Sequence, residues 1–280
     1  MHPSPGPRLR SLLTLLFLSM LCSVAQAQPA QKPFEPYSGQ PGKDVVWVPT
    51  PQALVDKMLD MAKVTTSDYV MDLGSGDGRT VITAAKRGIR ATGVEYNPDM
   101  VALSKTNAAK AGVSGKADFM KADLFEMDLS KATVITMFLL PDINLQLRPK
   151  ILDLKPGTRI VSNTFTMGEW VTDESAIVDE KQGCSGYWCK ALLWIVPAKV
   201  EGTWKLGQSE LTLSQSFQMV TGTLKSGSKN ISISSGRLLG DQISFSADGA
   251  VYSGKVSGNS MTGTVKGSSS PNWSATRASR

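Results

Sequence analysis

Histidine is almost missing from this chain: the single one in 280 residues is His2. With none further along, zinc-dependent hydrolysis and Ser-His-Asp catalysis are excluded, and no metal site is expected. Cysteine is scarce too, three in all and none in a C-x-x-C pair, which argues against a dithiol redox centre. The charge balance is only mildly basic, 30 Lys and Arg against 24 Asp and Glu. It forms no stripe and no alternation with aromatics, so no nucleic-acid surface is expected. A dinucleotide fingerprint is also missing, because G-x-G-x-x-G needs glycine at position 79 and the chain has Arg79.

What is present begins with a leader. Arg8 and Arg10 precede an apolar run from Leu12 to Val24, followed by the small-x-small Ala25-Gln26-Ala27. Residues 1–27 therefore read as a signal peptide, and the protein as exported, periplasmic or secreted. Left uncleaved, the leader would tether the body to the membrane with its arginines inside. After cleavage no stable membrane insertion is expected. Cys22 lacks the small residues of a lipoprotein box and leaves with the leader. Residues 28–43, rich in Pro, Gln and Gly, read as a flexible linker. Two domains are expected after it, 44–198 and 199–280.

The most informative segment is Asp72-Leu-Gly74-Ser-Gly76-Asp-Gly78-Arg79, entered by apolar Tyr69-Val-Met71 and left by helically spaced Val81, Ile82, Ala84 and Ala85. Three alternate glycines let the backbone lie against a ligand that any Cβ would push away. S-adenosylmethionine, which carries no phosphate, suits such a loop, with Asp72 at the strand end meeting its ammonium group. A tight strand-to-helix turn without ligand is the competing reading. A second strand, Arg90 to Glu95, ends in a carboxylate placed to grip a ribose diol. A helix from Asp99 to Ala111 and a strand from Ala117 to Ala122 lead to Asp123-Leu124-Phe125. There Asp123 would accept from the adenine amino group, with Leu124 or Phe125 against the ring.

Further strands are expected at Thr133 to Leu140 and Thr158 to Phe165, separated by a helix from Asn144 to Leu154 and the breaker Lys155-Pro-Gly157. Ser175 to Lys181 and Lys190 to Pro197 read as an antiparallel hairpin. The fold class is α/β, a doubly wound Rossmann-like sheet closed by that hairpin, which resembles the class I, seven-strand methyltransferases. Val48-Pro-Thr50-Pro51, the glycine loop, Gly93-Val-Glu95, Asp123-Leu124-Phe125, Leu139-Leu-Pro141, Lys155 to Arg159 and Phe165 to Trp170 carry a closer resemblance. They are similar to bacterial relatives of the mitochondrial lysine methyltransferases that act on the ATP synthase c-ring and the adenine nucleotide translocase. The resemblance spans about residues 45–197 and implies a methyl acceptor that is a protein lysine or a small molecule. It also implies cofactor-binding roles for Thr50, Asp72, Gly74, Gly76, Glu95 and Asp123, to which the reading of the residues adds Gly78 and Leu124.

The expected fourth strand ends in Phe138-Leu-Leu-Pro-Asp142 and lacks the Asn/Asp-Pro-Pro-aromatic signature that grips a base amine, which argues against nucleobase methylation. Methyl transfer needs alignment, desolvation and a neutral nucleophile more than a strong base. Asp142 and Glu169 are the acids available to take an amine's proton, unless they are plain exposed loop charges. Trp170 is read either as a wall of an acceptor channel or as buried packing. An exported binding protein with a non-catalytic methyltransferase-like half is the alternative reading. It is motivated by a leader that carries the chain away from the cytosol, where S-adenosylmethionine is made.

Cys184 and Cys189, flanking four residues of the expected hairpin turn, are placed to form a disulfide in an oxidising compartment. Beyond Pro197 the composition turns to Gly, Ser and Thr, and Gly236 to Ser244 recurs as Gly254 to Thr262. Residues 199–280 read as about eight short strands in an up-and-down barrel or sandwich. Trp204 and Arg277 are expected to stack there as packing.

Overall fold

The computed structural model describes residues 1–3, 34–267 and 271–279. Most of the expected leader and the first part of the expected linker lie outside the described residues. Helix α1 (Gln52–Met61) precedes seven strands: β1 (Tyr69–Leu73), β2 (Arg90–Glu95), β3 (Ala117–Lys121), β4 (Val134–Met137), β5 (Arg159–Asn163), β6 (Glu174–Ile177) and β7 (Lys190–Ile195). Between them lie α2 (Arg79–Lys86), α3 (Pro98–Lys110) and α4 (Pro141–Leu152). The strands pair in the order β3-β2-β1-β4-β5-β7-β6, parallel except around β7. The doubly wound sheet closed by an antiparallel hairpin is therefore present.

Alternation along the strands builds two cores. Val70, Ala91, Val134 and Val161 face α1 to α3, while Met71, Leu73, Ile135 and Ile160 face α4. Buried on both sides, the central strands β1 and β4 are apolar except at Asp72 and Thr136 and show no polar face. Helix ends follow their sequence signals. The Asn97 side chain accepts from the amides of Asp99 and Met100, and Pro98 opens α3 without losing a needed donor. The helix expected from Asn144 begins earlier, at Pro141, for the same reason: proline suits the first turn.

Connection 164–173, between β5 and β6, contains no helix. On that face Trp170 and Trp194 are buried and the Trp194 indole donates to the Trp170 carbonyl (2.7 Å). The cover comes from the second half of the chain, whose Phe217 stacks on Trp170 at 5.9 Å and 7°. Trp170 is thus packing and lines no channel.

That second half comprises β8 (Gly202–Leu206), β9 (Ser209–Ser216), β10 (Met219–Ser226), β11 (Lys229–Ser232), β12 (Ser234–Leu239), β13 (Gln242–Ala247), β14 (Ala250–Ser257), β15 (Ser260–Lys266) and β16 (Asn272–Ser279). All neighbours are antiparallel, and β9 pairs with β10 to close the ring. Since β11 and β12 are two pieces of one edge along β10, the result is an eight-strand barrel, which removes every open edge. Trp204 is fully buried inside it, with the Arg277 guanidinium 4.2 Å from its ring centroid. The barrel touches the α/β half through polar contacts as well: Gln218 donates to the Val171 carbonyl (2.6 Å) and Arg237 to Asp173 (2.7 Å).

Candidate active site

Strand order reverses between β1 and β4, and the crevice at such a switch point, beyond the strands' carboxyl ends, is where α/β sheets bind ligands. An open cleft of about 970 Å³ lies there. Of the residues expected to bind cofactor, Thr50, Asp72, Gly74, Gly76, Glu95 and Leu124 line it. Gly74 and Gly76 both take positive φ, +75° and +53°, which a side chain would oppose. Glu95 closes β2 with both carboxylate oxygens engaged, accepting from the Gly76 amide and from the Asn97 amide at 2.9 Å each. Ser104 donates to the Gly76 carbonyl (2.7 Å), so the loop is pinned from two sides.

Two expected cofactor residues do something else. A Cβ on Gly78 would meet the Phe119 ring at 2.7 Å and Ser104 at 2.9 Å. This glycine therefore serves the close seating of α2 against its neighbours, and it does not line the cleft. Asp123 stands outside the lining as well: its carboxylate accepts from Lys43 (2.6 Å) and from the Phe125 amide (2.9 Å). The acids expected to take a proton are also elsewhere. Asp142 is exposed in the first turn of α4, and Glu169, its side chain 80% exposed, pairs with Arg148 (2.6 Å). Neither lines the cleft.

Lys43 belongs to a strap that the sequence did not reveal. Residues 37–43, expected as linker, fold back on the site: the Gly39 amide donates to the Trp47 carbonyl (2.8 Å) and the Trp47 amide to the Gln40 carbonyl (2.9 Å). The strap lies over the glycine loop, where the Trp47 indole occupies the space a Cβ on Gly76 would need. Arg79 ties the two together, clasping Asp77 and donating to the Thr50 carbonyl (2.9 Å). At the far rim Lys43 sits 4.8 Å from the Tyr96 ring centroid while it holds Asp123. The signal in the sequence was composition alone, and Pro, Gln and Gly say nothing of where a strap lands.

Charge in the cleft is unbalanced. Arg79 is committed to Asp77 and Lys43 to Asp123, leaving Asp72 and Glu95 without an ion-pair partner among the described residues. Burial pushes the Asp72 carboxyl up to about 7, against hydrogen bonds from Thr136 and Thr80 that hold it down, with the Asp77 and Glu95 charges adding to the rise. A buried carboxylate in that condition lacks a cation. A ligand bearing ammonium and sulfonium groups supplies one.

The profile of the ANTKMT methyltransferase domain matches residues 72–174. A protein-lysine N-methyltransferase from Saccharolobus islandicus is 47% identical over 139 residues, 49% of this chain and 86% of that protein. This chain belongs to that methyltransferase family. It is also 35% identical to the mouse lysine N-methyltransferase of the ATP synthase C-subunit over 130 residues, 46% of this chain and about half the length of that relative (52%). Among solved structures, an RNA methyltransferase from Salinibacter ruber in complex with S-adenosyl-L-homocysteine is 42% identical. The match covers 55% of this chain and 96% of that one, with a TM-score of 0.50.

The protein is an S-adenosylmethionine-dependent methyltransferase. The cofactor supplies a methyl group on a positively charged sulfur. Asp72, Glu95, Gly74, Gly76 and Leu124, which line the cleft, are the residues that would hold it, with the two acids opposite its charge. The strap, with Thr50 at its end, borders the cleft.

Proposed function

We propose that the acceptor is a lysine side chain of a protein, methylated outside the cytosol. The observation that carries the reading is a second open cleft of about 900 Å³ that shares the strap and Phe138 with the first and, apart from Lys43 and Asp44, is lined by apolar residues. A long alkyl stem ending in an amine fits such a passage, which takes the stem's methylenes out of water. A nucleobase would call for polar groups matched to its edge, and this lining offers few. The lysine methylation for which the archaeal and mouse relatives are named points the same way. Export rests on the leader's sequence, and the disulfide between Cys184 and Cys189 accords with an oxidising compartment.

The test is incubation of the mature protein with methyl-tritiated S-adenosylmethionine and periplasmic extract of the source organism, followed by hydrolysis and amino-acid analysis. Label in methyllysine is expected. Label lost to ribonuclease, or found only in small molecules, overturns the acceptor. Amino-terminal sequencing of the protein from fractionated cells is expected to begin at Gln28. A full-length cytosolic protein overturns export.

A further inference from the structure

The second cleft ends on three rings that the methyl-transfer chemistry does not otherwise use. Phe138 follows β4, Phe165 follows β5, and Trp188 comes from the loop closed by the Cys184–Cys189 disulfide. Their centroids lie 5.9, 5.8 and 5.3 Å apart, so they form one continuous aromatic wall. The backbone is distorted to present it. Thr164 holds φ at +60°, rare for a β-branched residue, and the Phe165 amide donates back to the Asn163 carbonyl (2.7 Å) in a tight γ-turn. Strain of this kind persists where the surroundings impose it, often at ligand sites.

Trp188 is positioned by the disulfide. Both cysteines are buried in the core with Val178 and Ala191, while the loop between them stands in solvent. Trp188, 38% exposed, is its link to Phe138 and Phe165. The backbone holds the loop's ends, the Val178 amide donating to the Cys189 carbonyl (2.9 Å) and the Cys184 amide to the Asp179 carbonyl (3.0 Å), and the bond ties those ends together.

We propose that Phe138, Phe165 and Trp188 form the acceptor's ammonium subsite, and that the Cys184–Cys189 disulfide sets its affinity by holding Trp188 in place. The proposal rests on the lysine reading above. Ring faces attract a cation, and a methylated ammonium, poorly hydrated, most of all. The wall therefore discriminates a cationic alkyl chain from a neutral one of equal length, and it releases when Trp188 is freed.

The experiment measures binding to the S-adenosylhomocysteine-saturated protein by ligand-observed NMR. The probes are Nα-acetyl-Nε-trimethyllysine methylamide, its neutral isostere with carbon in place of the quaternary nitrogen, and tetramethylammonium. The wild type is expected to bind the trimethyllysine probe at least fivefold more tightly than the isostere. Trp188→Ala, the double variant Cys184→Ser/Cys189→Ser, and wild type under dithiothreitol are expected to lose tenfold for the cationic probes. Trp188→Phe keeps most of the binding, and S-adenosylhomocysteine affinity by calorimetry stays within twofold in all of them, which shows that they fold. Equal binding of charged and neutral probes, or cationic binding unmoved by Trp188→Ala, overturns the subsite. Unchanged binding on loss of the disulfide overturns its positioning role. Binding of tetramethylammonium without the lysine probe leaves the subsite standing and overturns the lysine acceptor.

Discussion

The Glu95 carboxylate accepts the Gly76 amide at 2.9 Å, so the tip of the second strand and the middle of the glycine loop are one hydrogen-bonded unit. Its other oxygen takes the Asn97 amide, at the start of α3. Glu95→Ala removes both contacts and the charge that faces the ligand. Calorimetry with S-adenosylhomocysteine is expected to show a loss of about 2–3 kcal/mol, and Glu95→Gln a smaller one because it keeps an acceptor oxygen. Equal losses for the two would assign the effect to charge alone.

Asp72 makes the site pH-dependent. Its carboxyl, raised to about 7 by burial, is protonated in the free protein below that value and ionised above it. A cationic ligand needs the ionised form, so affinity should fall as pH drops from 8 to 6, by up to about tenfold per pH unit. Folding goes the opposite way. A carboxyl that keeps its proton in the fold and would lose it unfolded removes stability as pH rises from about 4 to 7. Asp72→Asn is expected to flatten the binding profile at reduced affinity, and to raise the melting temperature of the free protein at pH 8 but not at pH 4.

Lys43 and Asp123 are expected to act as a latch. Both are solvent-facing, and the pairing holds the lysine above its ordinary value and the aspartate below. Stopped-flow release of S-adenosylhomocysteine should be accelerated equally by Lys43→Ala and Asp123→Ala, with no further gain in the double variant, and should quicken with salt in the wild type. A larger effect at Asp123 would restore the adenine contact read from the sequence.

The seam between the halves has its own titrating group. The Asp173 side chain, 4% exposed, is raised by burial and held down by the Ile195 amide and Arg237. Arg237→Ala leaves that carboxylate buried with one partner fewer, at a cost of about 1–3 kcal/mol. Because the stranded charge exists only when the acid is ionised, denaturant titration should show a larger loss at pH 8 than at pH 4.

The cofactor cradle was legible because its requirements are local. Positive φ favours glycine at 74 and 76, and Asp72 and Glu95 fall in the last two residues of their strands, where the apolar runs stop. Gly78 takes positive φ too but stands outside the cleft, with Phe119 beside it as Trp47 is beside Gly76. The proposed acceptor side was not legible. Phe138, Phe165 and Trp188 are far apart in sequence and meet only through strand order, and each alone reads as core. Asp142 and Glu169 read as available acids, but the starts of helices and loops also collect exposed carboxylates. The barrel was visible from turn dipeptides and the internal repeat, whereas its seat on Trp170 was not.

That seat bears on how the enzyme fails. Phe217 covers Trp170 where a crossover helix would otherwise lie, so the methyltransferase half ends in an unfinished face. The two halves should melt in a single calorimetric transition. Cutting the chain after Pro197 should yield a sticky fragment that aggregates through an uncovered indole, in place of a minimal enzyme.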